Sequence, residues 1–265
     1  MPKIRYLRIQ FDARVLPREV PCFRAAVIER TQRASSLFHN HRGPDGYHYR
    51  YPLIQYKALH GQAAMVCLND GADDIHHLLQ HRDLTLRIGD RRATFRIEDV
   101  RLSYFNVQTW RRHFHYSLHH WIALNQDNYR RFQALDSEVE RLQLLERILT
   151  GNLLAFAKYI DWTVEDRIEV RITELKSTRY LPYKGQKVLA FSLNFRCNVS
   201  LPDWVGIGKG ASSGFGTVKR FGNKSTVDSP QSIAGRDRRA SPRRQPAPPE
   251  EQQDRSGHSR TKTEQ

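Results

Sequence analysis

The chain has 265 residues, enough for two ordinary domains that each bury a core. Lys plus Arg number 43 against 28 Asp plus Glu, a net charge of +15. Nine basic and six acidic residues lie from Gly222 onward, so residues 1–221 keep 34 against 22, a net +12. The folded part is therefore matched to a polyanion, nucleic acid ahead of a membrane surface.

Cys22, Cys67 and Cys197 are far apart and form no CxxC pair, which argues against a cysteine zinc site or a disulfide framework and for a reducing cytosol. No apolar run approaches the ~20 residues of a membrane span. The start, MPKIRYLRIQF, alternates like a strand rather than a signal segment. The expectation is a soluble cytoplasmic protein with no membrane partner.

Lys3 to Phe11 reads as a first strand, and Pro17 opens a helix whose apolar spacing (Val20, Phe23, Ala26, Val27) runs to about Ala34. It delivers the chain to the stretch FHNHRGPDGYHYRYPLIQYK, residues 38–57. His39 and His41 stand just before the turn signal Arg42-Gly43-Pro44-Asp45-Gly46, and loops on a rigid scaffold commonly carry chemistry. Tyr49 to Leu59 has the composition of a strand, with Tyr49, Tyr51, Leu53, Gln55 and Lys57 on one face and Pro52 placing it at an edge or a bulge.

Histidine exchanges protons near neutral pH, so His39 and His41 can serve as acid and base. Lys57 can stabilise charge growing on a phosphate, and Tyr47 can donate a hydrogen bond or a proton. RNA suits this set because its own 2′-hydroxyl is the nucleophile, so neither metal nor cofactor is needed. A solvated or structural histidine loop is the alternative reading of the same residues.

After a turn at His60-Gly61-Gln62, Ala63 to Leu68 completes a hairpin. Ala72 to Arg82 reads as a helix with Asp70 able to cap it, and Leu84–Ile88 and Thr94–Phe105 read as strands around Gly89-Asp90. Strand, helix, strand, strand, helix, strand is the ferredoxin-like plan, shared by many RNA-binding modules. A second unit starts near Asn106. It has a strand over Arg112–Leu124, a long helical region over Gln126–Tyr159 in which Gly151 marks a break or kink, and strands over Arg167–Leu175 and Lys187–Val199. The fold class expected is α+β: two tandem ferredoxin-like domains over 1–105 and 106–221, with antiparallel sheets. The Ser-, Pro-, Gln- and Arg-rich tail, 222–265, is expected to be disordered.

The second unit ends in WVGIGKGASSGFGTV, residues 204–218, whose glycines let the backbone approach a ligand and present bare amides. It is no P-loop, because Lys209 is followed by Gly210 and the position five before Gly208 is Asp203. A rival metal site would draw on His77 and His81, four apart on an expected helix, or on His113, His115, His119 and His120, but no HExxH is present.

The ending GIGKGASSGFGTV resembles the C-terminal glycine-rich motif of the RAMP superfamily. With FHNH and YRYPLIQYK upstream, in the family's order, residues 1–221 resemble a CRISPR-associated repeat-processing endoribonuclease. The resemblance implies metal-independent cleavage of the CRISPR precursor transcript within each repeat, leaving a 2′,3′-cyclic phosphate and a 5′-hydroxyl. It maps the paired histidines onto His41, the principal proton-transfer residue, and His39, which assists. Tyr47 would orient or protonate, and Lys57 would be the cation facing the scissile phosphate.

By the same resemblance Gly206, Gly208, Lys209, Gly210, Ser212, Ser213, Gly214 and Gly216 hold RNA backbone or support the active site. Arg42 and Arg50 flank the site and are candidates for phosphate contacts, with solvated surface the alternative for either. Precursor and processed repeat RNA are the expected partners. Other CRISPR effector subunits and a second copy of the chain stay open as further ones. The alternative function is a non-catalytic RNA-binding subunit of a CRISPR effector complex.

Overall fold

The structure, a computed structural model, describes residues 3–31, 35–39 and 51–222, with the backbone alone at His39. His41, Arg42, Tyr47 and Arg50 lie outside the described residues, as does the tail beyond Gly222 for which disorder is expected.

The first half opens with β1 (Lys3–Arg14), whose register is antiparallel to two neighbours. A 3₁₀ turn at Pro17–Glu19 leads into α1 (Val20–Arg30), where Pro21 is tolerated because a first-turn amide has no helical partner. A short α2 (Ser36–His39) follows, then β2 (Ile54–Leu59) and β3 (Gln62–Leu68). Pro52 stands before β2, outside the strand, which starts five residues later than the composition suggests.

Between β3 and the next long strand come α3 (Asp70–Asp74), α4 (His76–Leu79), and a separate hairpin of β4 (Thr85–Ile88) and β5 (Arg91–Thr94). The last strand is β6 (Ile97–Asn106). The single helix expected over 72–82 is thus two turns, with Asn69 rather than Asp70 at the cap position. His81 falls past the end of α4, so the four-residue histidine spacing is not realised on a helix.

The sheet order β2-β3-β1-β6, antiparallel throughout, is second-third-first-fourth, the ferredoxin-like arrangement. Strand alternation sorts the residues of β1. Leu7, Ile9 and Phe11 pack with Val20, Phe23 and Val27 of α1, while Ile4 and Tyr6 on the opposite face join a core centred on the second half.

That half runs β7 (Thr109–Trp121), α5 (Gln126–Ala134), α6 (Glu138–Tyr159), β8 (Val170–Tyr183), β9 (Gln186–Val199) and β10 (Thr217–Phe221). The order β10-β7-β9-β8 repeats the first sheet's arrangement. The helical region divides at residues 135–137, where Asp136 and Ser137 favour an extended cap over a helix interior; Gly151 sits inside α6 with open space where a side chain would be. β8 extends eight residues beyond the expected Leu175, and its place at the sheet edge accommodates Pro182. It turns into β9 through Lys184-Gly185, both at positive φ, the signature of a two-residue hairpin turn.

Leu145, Leu149, Leu153 and Phe156 of α6 lie over Tyr116, Leu118, Leu193 and Phe195 in one core that also takes in Tyr51, Val66 and Leu68 from the first half. The two halves therefore share apolar packing. Among the described residues no helix is long and apolar enough to cross a membrane.

Candidate functional site

In the second half no helix connects the third and fourth strands; residues 200–216 make the crossing as a loop. The loop is tied to itself and to β7. Ile207 N donates to Gly216 O, Ser213 N and Phe215 N to Gly210 O, and Gly216 N to His120 O. A Cβ at Gly216 would stand 1.9 Å from Ile207 O, and φ there is +60°, so both space and backbone conformation require glycine.

The first half supplies the other wall. On β2, Gln55 and Lys57 share a face by the two-residue period, and that face is turned onto the loop. Gly206 N donates to Gln55 Oε1 at 2.7 Å, Tyr51 Oη donates to Gly206 O at 2.7 Å, and Tyr56 N donates to Ser212 O at 3.1 Å. Lys57 Nζ donates to Ala211 O at 3.2 Å and Thr217 Oγ1 at 3.3 Å. A Cβ on Gly206 would meet that ammonium at 2.8 Å.

Lys57 is 1% exposed, and burial alone lowers its pKa to about 7. This corrects the expectation of a cation facing a scissile phosphate, because the ammonium is sealed against the Ala211 carbonyl of the loop and the Thr217 hydroxyl of β10. The same burial raises the Tyr51 and Tyr56 phenols well above their ordinary value.

The glycine loop also departs from a bare-amide cradle. Gly206 and Gly216 are buried and their amides engaged, so neither presents backbone to a ligand. Gly208, Gly210, Ser212, Ser213 and Gly214 are half-buried, and Gly214 rests on Val20 of α1. Lys209 is the exposed cation of the group, its ammonium 5.5 Å from the Tyr183 ring.

Residues 40–50, with His41, lie outside the described residues, and the described residues on either side each bond to a side chain of β2. Before them, Phe38 is buried in the first core and its carbonyl accepts from Tyr56 Oη at 3.3 Å; after them, buried Tyr51 reaches Gly206. Of the histidines of β7, His120 meets the loop through its carbonyl and His119 pairs with Thr217 in register. His119 and His120 are held below the usual imidazole range, first by burial and then by neighbouring positive groups, His120, Lys176 and Lys219 beside His119 and Arg179 beside His120. His113 Nε2 is paired with Glu169 at 2.9 Å.

The family model for the Cas6b N-terminal domain matches residues 2–106, and that for the Cas6b C-terminal domain matches residues 108–221. The chain belongs to the Cas6b family. A crystal structure of a Cas6b superposes with a TM-score of 0.77 at 25% identity, covering 83% of this chain and all of the other. A second, of a CRISPR RNA processing endoribonuclease Cas6b, gives 0.64 at 22% identity over the same shares and supports the fold. An uncharacterised protein of Methanocaldococcus jannaschii is 41% identical over 100 residues, 38% of this chain and 67% of that protein.

The resemblance drawn from the three motifs thus leads to the right family of CRISPR RAMP-type endoribonucleases. What it does not anticipate within this Cas6b chain is the latch of Tyr51, Gln55 and Lys57 on the loop. The signal was available, in a polar pair two apart on a strand otherwise apolar on both faces, Ile54, Tyr56 and Leu59 being buried beside them.

Proposed function

We propose that this chain cleaves CRISPR precursor RNA within its repeats by attack of a ribose 2′-hydroxyl on the adjacent phosphodiester, leaving a 2′,3′-cyclic phosphate and a 5′-hydroxyl, with no metal required. The observation that carries the reading is that Phe38 and Tyr51, the described residues on either side of the segment holding His41, bond to Tyr56 and Gln55 of β2, with Tyr51 also reaching Gly206 of the loop, in a chain matched by Cas6b models over both halves. His41 is the principal proton-transfer residue, His39 assists and Tyr47 orients or protonates. Lys57 acts indirectly, by holding the loop that backs these groups. Lys209, Arg42 and Arg50 meet RNA phosphates.

The test separates chemistry from binding. His41→Ala is expected to lower single-turnover cleavage of a repeat RNA by ~10² or more while leaving affinity within a few fold. Equal cleavage by variant and parent removes His41 from the mechanism, and parent protein that binds the repeat but never cuts it favours the non-catalytic RNA-binding subunit. Affinity should fall steeply with salt in proportion to the phosphates neutralised.

A further inference from the structure

Trp204 stands between Asp203 and the glycine loop with φ at +67°, a left-handed conformation unfavourable for a bulky side chain. The other non-glycine residues at positive φ among those described are His60, Asn69, His120, Asp161 and Lys184, none of them comparably large. Bonds on both sides hold the geometry. Trp204 N donates to Val218 O at 2.7 Å, Tyr6 Oη donates to Asp203 O at 2.7 Å, and Arg220 N donates to the Asp203 carboxylate at 2.7 Å. Glycine would make the same backbone bonds without strain. The bonds explain how the conformation is tolerated, not why an indole occupies it, and strained positions concentrate where a side chain is used.

The indole is half-buried, one side resting on the second core. Over its ring lies Lys219 Nζ, 4.9 Å from the centroid. Edge-on to it, at 5.8 Å and 82°, stands the ring of His60, which comes from the β2–β3 turn of the other half. Lys219 and His60 are both exposed. His60 and Gly61 both take positive φ, as a two-residue turn demands, and Gly61 O accepts from Val15 N at 3.0 Å, so the turn that presents His60 is itself fixed. A π face, an exposed ammonium over it and a second ring at its edge suit a nucleobase with its phosphate, the indole as the stacking surface and Lys219 as the partner of the phosphate.

We propose that Trp204, flanked by Lys219 and His60, is a stacking site for an unpaired base of the RNA, at a point where the strand passes between the two halves. This rests on the RNA reading above and adds a residue that none of the motifs assigns.

The experiment uses the full chain and fluorescein-labelled A10 and U10 RNA, with affinity read by anisotropy and folding by thermal denaturation. Trp204→Ala and Trp204→Gly should both weaken binding by about 5-fold or more, and Trp204→Phe should stay within about 3-fold of the parent. Trp204→Gly should lose that affinity without losing thermal stability, because it relieves the backbone strain; a purely structural tryptophan would lose both together, and that result overturns the proposal. On binding, the intact protein should show quenched tryptophan emission, and the quenched component should be missing in Trp204→Phe. Parent-like affinity in both the alanine and glycine variants overturns the stacking site and leaves the RNA reading standing. A parent that binds neither RNA at low salt overturns both.

Discussion

The two halves share a strand order and differ in what fills the second crossover. In the first, the crossover holds the two short turns α3 and α4 and the β4–β5 hairpin, and the helix-side face of the edge strand β6 is left open: Val100, Leu102 and Tyr104 are 51%, 60% and 55% exposed. In the second, the crossover is a loop with no helix, folded back on β7 and bonded to Tyr51, Gln55, Tyr56 and Lys57 of the first half. One slot stays within its own half, while the other is the joint between halves. Of its glycines, Gly216 lets the loop close on Ile207, Gly206 leaves room for the Lys57 ammonium and Gly214 rests on Val20.

The comparison can be broken at its glycines. Gly216→Ala should be the most damaging change, costing roughly 3 kcal/mol or more, because the new Cβ meets a carbonyl at 1.9 Å and the backbone is left-handed. Chemical denaturation checks this, and parent-like stability would mean the loop is looser than described. Gly71→Ala, in the first half's crossover, also drives a Cβ against a carbonyl, Leu53 O at 2.6 Å, but at an ordinary φ. It should cost less, on the order of 1–3 kcal/mol. An equal or larger loss would reverse the contrast between the slots.

Lys57→Met sharpens the comparison through pH. The folded-state pKa of Lys57 is depressed to about 7, so the unfolded chain holds the proton more tightly and the penalty of burying the charge is full below pH 7. Between pH 7 and the ordinary lysine value the parent should gain stability relative to Lys57→Met, by at most about 1.4 kcal/mol per pH unit. A gap between parent and variant that stays constant from pH 6 to 9 would contradict the burial of the ammonium. The smallest effect belongs to Gly151→Ala: open space inside α6 predicts a gain of about 0.5–1 kcal/mol, read as a raised melting temperature.

Most of the fold was legible because periodicity reports burial. The spacing Val20, Phe23, Ala26, Val27 and the alternation along β1 and β9 each mark the face that is in fact covered. The misreadings have local causes. The long helical pattern offers Gly151 as a break or kink, but an isolated glycine is tolerated in a helix that packs well, and the division falls at Asp136-Ser137, which offers the cap. β8 runs on past Leu175 through a polar stretch that carries Pro182, both permitted at an edge and neither a strand signal in the sequence.

At the site, the motifs indicated which segments meet but not the sense of each side chain. Nothing in the residue type says whether Lys57 faces a phosphate or a carbonyl of its own chain; only the partner strand decides, and that partner lies about 150 positions away.

The central claim is that the RNA's own 2′-hydroxyl breaks the chain with no metal taking part. Repeat RNA should be incubated with the protein in excess EDTA, alongside the same RNA carrying a single 2′-deoxyribose at the cleaved position. The account predicts full cleavage of the first to a cyclic phosphate product, and none of the second despite equal binding. Cleavage of the deoxy substrate, or loss of activity in EDTA that added divalent metal restores, would contradict it.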